Sequence, residues 1–130
     1  MYELVNKMKH IFPVKFDAKD IAPNTFQDLM SNASSRLVVW SGASDLTIYG
    51  EASSNHLFRA WHDSLHIKLN ADFSLQGEII VAREQARLID SDAMAKIIMA
   101  EVQGQAEYFN KHGSFPIDQV AFIQDYLKAA

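Results

Sequence analysis

The residues of this chain best placed to do chemistry are two imidazoles four positions apart, in His62-Asp63-Ser64-Leu65-His66. On a helix that spacing leaves them about 40° apart on one face, one turn above the other, so their ring nitrogens can converge on a single ion. The chain has no cysteine. That excludes a disulfide, a thiolate nucleophile, a Cys-type zinc finger and a thiolate-bound iron–sulfur cluster, and it restricts metal ligands to His, Asp and Glu. Phe58, Trp61, Leu65 and Leu69 mark the buried stripe of the same helix, with His62 and His66 on its shoulder, where both can face a cleft. The other three of the five histidines have ordinary readings. His56 lies about 120° around the axis from His62 and reads as a surface or capping residue. His112 stands beside Gly113, at a helix C-terminus that favours a cation, and His10 belongs to no cluster.

His62-Asp63-Ser64-Leu65-His66 resembles the His-Glu-x-x-His helix of the zincin metallopeptidases, with Asp in place of Glu. The resemblance implies that His62 and His66 bind zinc and that Asp63 is the general base on the metal-bound water. It also implies a third ligand from the following helix, for which Glu78 is the natural candidate, with Glu84 and Glu101 as alternatives. Zinc held by three protein ligands keeps an open position and lowers the pKa of its water to about 7. The resemblance covers roughly residues 36–90, and its motif core is five residues long. Asp63 is one methylene shorter than the family's Glu, and a misplacement of about 1 Å costs about 10²-fold in rate. Metal binding therefore survives the change more readily than peptidase activity.

The same residues also have structural readings. His62 and His66 can be half-buried side chains hydrogen-bonded to neighbours, Arg59 and Asp63 can form a surface ion pair worth about 0.3–0.5 kcal/mol, and Glu78 can serve the dipole of a first helical turn. Glu101 and Gln105 either line a polar pocket with Tyr108 or form a solvated shoulder. His62-Asp63 also resembles the centre of the HD-type metal phosphohydrolases. Those enzymes need a further His well upstream, and His56 is too close for that role.

Local signals place these residues. Leu4, Val5, Met8, Ile11 and Phe12 are spaced for a helix that Pro13 stops. Residues 14–22 read as a connector, and 25–32 as a short helix. Segments 36–40 and 45–49 are β-branched and aromatic around Ser41-Gly42-Ala43-Ser44, which predicts a β-hairpin. Ser53 or Ser54 caps a helix running to about Leu69, with Asn70 suited to a left-handed end. Ser74 caps a second helix carrying Leu75, Ile79, Ala82, Ala86 and Ile89, and Ser91 or Asp92 starts a third that His112-Gly113 ends. Ser114-Phe115-Pro116 restarts a last helix burying Val120, Ile123 and Leu127.

The expected architecture is α+β, a single domain over residues 1–130 in which a small β-hairpin or sheet packs on a mainly helical body of about five helices. Twelve basic residues against sixteen acidic ones, scattered singly, argue against a nucleic-acid partner, because phosphate neutralisation supplies most non-specific affinity. No apolar run reaches membrane-span length and the N-terminus lacks a signal-peptide centre, so a soluble, cytoplasmic protein without a membrane partner is expected. There is no phosphate-cradling glycine loop, Gly-x-Ser-x-Gly elbow or dinucleotide fingerprint. The sequence thus points to a small zincin-like, zinc-dependent hydrolase acting on peptide bonds. The alternative is a non-catalytic regulatory protein that binds a peptide or protein partner and uses the His pair structurally.

Overall fold

The structure, a computed structural model, describes residues 2–23, 25–31, 37–42, 49 and 52–129. Its elements are α1 (Tyr2–Ile11), β1 (Asp17–Lys19), α2 (Phe26–Ser31), β2 (Val38–Trp40), α3 (Ala52–Leu69), α4 (Leu75–Ile89), α5 (Asp92–Met99), a π-helical turn (Ala100–Gly104), α6 (Gln105–His112) and α7 (Gln119–Ala129). Counting α5, the π turn and α6 as one rod, the described residues form six helices and one two-stranded sheet. This is the expected small sheet on a helical body.

The sheet is built differently from the expected hairpin. β2 pairs in parallel with β1, in register Asp17↔Val38, Ala18↔Val39 and Lys19↔Trp40. The pairing is extended by Asp17 N–H to Leu37 O (2.9 Å) and Ser41 N–H to Lys19 O (2.9 Å). Parallel neighbours need a crossover connection, and α2 lies within it. The segment read as a connector therefore contains a strand, too short to show an alternating pattern. Of the second strand of the expected hairpin, 45–49, residues 45–48 lie outside the described residues, and Tyr49 is a buried turn residue.

α3 is the central element. It packs against α1, α2, β2 and α4. Phe58, Ala60, Trp61 and Leu65 are buried in a core completed by Leu4, Met8, Val39, Val81, Ala82, Ile89 and Ile98. Leu69, expected in the stripe, is exposed, because the helix has by then passed the edge of the core. Asn70 ends α3 in the left-handed conformation (φ 51°), as its side chain type predicts. Gly113 does the same for α6 (φ 78°). α7 starts later than the Ser-Phe-Pro signal suggests, with Asp118 Oδ1 accepting from Ala121 N–H (3.0 Å). Ile123 is buried, and Val120 and Leu127 are half-buried. Among the described residues no helix is long and apolar enough to cross a membrane.

Candidate metal centre

α4 starts where its sequence says it should. The Ser74 hydroxyl accepts from Gly77 N–H (3.1 Å), and Asp72 Oδ1 accepts from Ser74 N–H (3.1 Å), so the entry to the helix is locked on both sides. Glu78 sits in the first turn, its N–H bonded to Ser74 O (2.9 Å). The short link from Asn70 to Ser74 turns the chain so that Glu78 faces back onto α3.

There it meets both imidazoles. Glu78 Oε2 lies 2.8 Å from His62 Nε2 and 3.3 Å from His66 Nε2, and the two Nε2 atoms are 3.0 Å apart. Among the described residues, these three side chains form the group able to hold a metal ion. Zinc with ligands about 2.0–2.1 Å away in tetrahedral geometry needs its ligand atoms about 3.3 Å from one another. The observed separations of 2.8, 3.0 and 3.3 Å come within about half an ångström of that value. His66 is fully buried, deeper than the expected shoulder position, while the side chains of His62 and Glu78 keep 15% and 22% of their exposure. The cluster is therefore closed on the His66 side and reachable past His62 and Glu78.

The opposite ring nitrogens fix the orientation. His66 Nδ1 is 2.7 Å from the carbonyl oxygen of Ala71. A carbonyl only accepts, so Nδ1 carries the hydrogen and the Nε2 of neutral His66 is a lone pair. His62 Nδ1 lies 2.8 Å from Gln85 Oε1, and with the amide in that orientation neutral His62 takes the same tautomer. Aromatic rings complete the walls. Phe58 stacks on His62 at a 6.0 Å centroid distance, and Phe73 meets His66 edge-on at 4.9 Å. Two lone pairs and a carboxylate oxygen thus converge, an arrangement that is favourable only with a cation among them, either a proton or a metal ion.

With a proton in that place, the electrostatics are those of an ion pair. Burial is the largest influence on Glu78 and raises its pKa, but hydrogen bonds from His62 and His66 together with their charges outweigh it and hold the carboxyl at about 2. Burial also works against a charged His62, yet Glu78, Asp63 and Gln85 raise its pKa overall. Glu78's contribution to stability is present above the ordinary carboxylate range and is lost as pH falls through that range toward 2. His62's is present below the ordinary imidazole value and is lost as pH rises above it.

Asp63 is half-buried beside His62. Burial pushes its carboxyl up to about 6, against the lowering effect of His62, His66 and Arg59. Arg59 donates to Gly42 O (2.7 Å) and lies in the field of both Asp63 and Glu101.

The alternatives for the third ligand separate clearly. Glu84 pairs with Arg87 at the surface. Glu101 comes from the π turn, accepts from Gln105 Nε2 (2.9 Å), and is pushed up to about 7, chiefly by burial. Gln105 is buried, so this pair is not a solvated shoulder. Tyr108 packs against His112 and Phe122. His56 is half-buried and bonds Ser41 O at 3.2 Å, tying α3 to the end of β2.

Gln85 is the residue that sequence reasoning missed. It is fully buried and lies seven positions after Glu78, on the same helix face. A polar residue between Ala82 and Ile89 in an apolar stripe was the available signal. No protein-family model matches the chain, and neither a curated protein nor a solved structure matches it.

Proposed function

We propose that this chain is a metal-dependent hydrolase in which His62, His66 and Glu78 hold a zinc ion, Asp63 serves as the base and the substrate is a peptide bond. The observation that carries the reading is the convergence of His62 Nε2, His66 Nε2 and Glu78 Oε2 within 3.3 Å of one another. Two imidazoles and one carboxylate suit zinc, and three protein ligands leave it a position for water. The peptide substrate rests on the resemblance of the His62–His66 segment to the zincin helix. The HD-type reading loses support, because His66 and Glu78, not Asp63, share the ligand cluster with His62.

The test is metal analysis of protein purified without a metal-affinity tag, followed by hydrolysis of an unstructured protein substrate with and without a chelator. The expected result is about one zinc per chain, chelator-sensitive cleavage, and loss of cleavage by about 10²–10⁴-fold in Asp63→Asn with zinc retained. A chain that takes up no zinc overturns the reading. A chain that takes up zinc but cleaves nothing leaves the second reading, a non-catalytic protein in which the ion fastens α3 to α4. That reading is favoured by the complete burial of His66.

Zinc has to displace the proton shared by His62 and Glu78. The rise in Tm on adding zinc is therefore expected to be small near about pH 5 and large near about pH 8. Equal shifts at the two pH values would show that no ligand proton is released.

A further inference from the structure

Gln85 is a fully buried polar side chain bonded to the cluster, and half of its amide is unaccounted for. Its Oε1 accepts from His62 Nδ1 at 2.8 Å, while its Nε2 is buried with no hydrogen-bond partner among the described residues. A primary amide can present either end to the imidazole, and the two choices have opposite consequences. With Oε1 facing Nδ1, neutral His62 keeps its hydrogen on Nδ1 and turns a lone pair on Nε2 toward His66 and Glu78. With Nε2 facing Nδ1, the ring hydrogen moves to Nε2 and is donated to Glu78, so a hydrogen occupies the place a metal ion would take. His66 has no such freedom, because the Ala71 carbonyl accepts only. In either orientation one end of the buried amide goes without a partner, so neither is locked by its own hydrogen bonds.

We infer that Gln85 regulates metal loading of this centre: its amide orientation selects between a metal-receptive and a metal-excluding tautomer of His62. The inference rests on the proposed metal site and makes Gln85 a positioning residue that acts through His62. An ionised carboxylate at this position accepts only and fixes the receptive tautomer, and an apolar side chain of similar length removes the selection.

The experiment compares wild type, Gln85→Glu and Gln85→Met, each stripped of metal and titrated with zinc against a chromophoric chelator. In parallel, the His62 ring-nitrogen shifts of the metal-free proteins are read by NMR at a pH where the ring is neutral. Gln85→Met is expected to weaken zinc by about 10–100-fold and to move the His62 hydrogen to Nε2. Gln85→Glu is expected to bind at least as tightly as wild type, with the hydrogen on Nδ1. The inference is overturned if Gln85→Met binds like wild type with its tautomer unchanged. It is also overturned if Gln85→Glu loses as much affinity as Gln85→Met, since packing and not the acceptor would then be the cause. If wild type takes up no zinc, the proposed function fails, and the ring-nitrogen shifts alone still decide whether Gln85 sets the tautomer.

Discussion

Replacing His62 and His66 together with Ala is expected to abolish stoichiometric zinc binding, and each single replacement to weaken it by orders of magnitude. Structural zinc in small four-ligand domains is bound with about 10–16 kcal/mol, or about 2.5–4 kcal/mol per ligand. Loss of one ligand then costs about 10²–10³-fold, and loss of both about 10⁴–10⁶-fold. The two residues differ in what else they do. His66 is fully buried, edge-on to Phe73 and bonded to Ala71 O, so His66→Ala also opens a cavity and leaves that carbonyl without its donor, at about 1–3 kcal/mol. His62 is partly exposed, so His62→Ala tests the centre with less damage to the fold. The measurement is zinc per chain together with metal-free Tm. Zinc retained at wild-type stoichiometry by a folded double variant would remove the centre from consideration.

Gly77→Ala is expected to destabilise the protein by about 1–3 kcal/mol, although the same change in an ordinary helix interior stabilises by about 1 kcal/mol. The reversal follows from the approach of the chain to itself. A Cβ built on Gly77 runs into the carbonyl of Asp72 and crowds its side chain, and backbone cannot swing aside as a long side chain does. Relief requires the start of α4 to move away from the Asn70–Ser74 link, which carries Glu78 away from the two imidazoles. The substitution is therefore expected to lower zinc affinity as well as Tm. A stabilised Gly77→Ala with unchanged zinc affinity would show that the link has room to give.

Much of the site was legible because its parts are local. A four-residue spacing placed His62 and His66 on one helical face, and the Ser74 cap placed Glu78 in the following first turn, so both helices could be set before any packing was known. The depth of His66 was not legible. It depends on Phe73 and the Ala71 carbonyl folding over the end of α3, and that is set by the left-handed Asn70 and the link after it. Gln85 escaped because a glutamine in an apolar stripe declares no chemistry until its partner is known. The sheet was misread for a different reason. Segment 38–40 has strand character whichever neighbour it takes, and three residues at 17–19 carry too few side chains to announce themselves as that neighbour. The π turn that brings Glu101 inward leaves no trace in the periodicity of the third helix, which reads as one continuous rod.

The shortness of the link between α3 and α4 also bears on how the chain acquires its structure. The three candidate ligands fall within a seventeen-residue stretch from His62 to Glu78, so the order in which the rest of the molecule assembles matters little to them. Closing so short a loop forfeits little chain entropy, and lengthening it severalfold would add only about 1 kcal/mol. If the chain binds a divalent ion as proposed, the ion would engage a nascent helical pair well before β1 meets β2 or α7 docks. Its influence would then fall on the rate at which the chain folds, and a chain emerging from a ribosome would present a complete set of ligands long before its last helix is made.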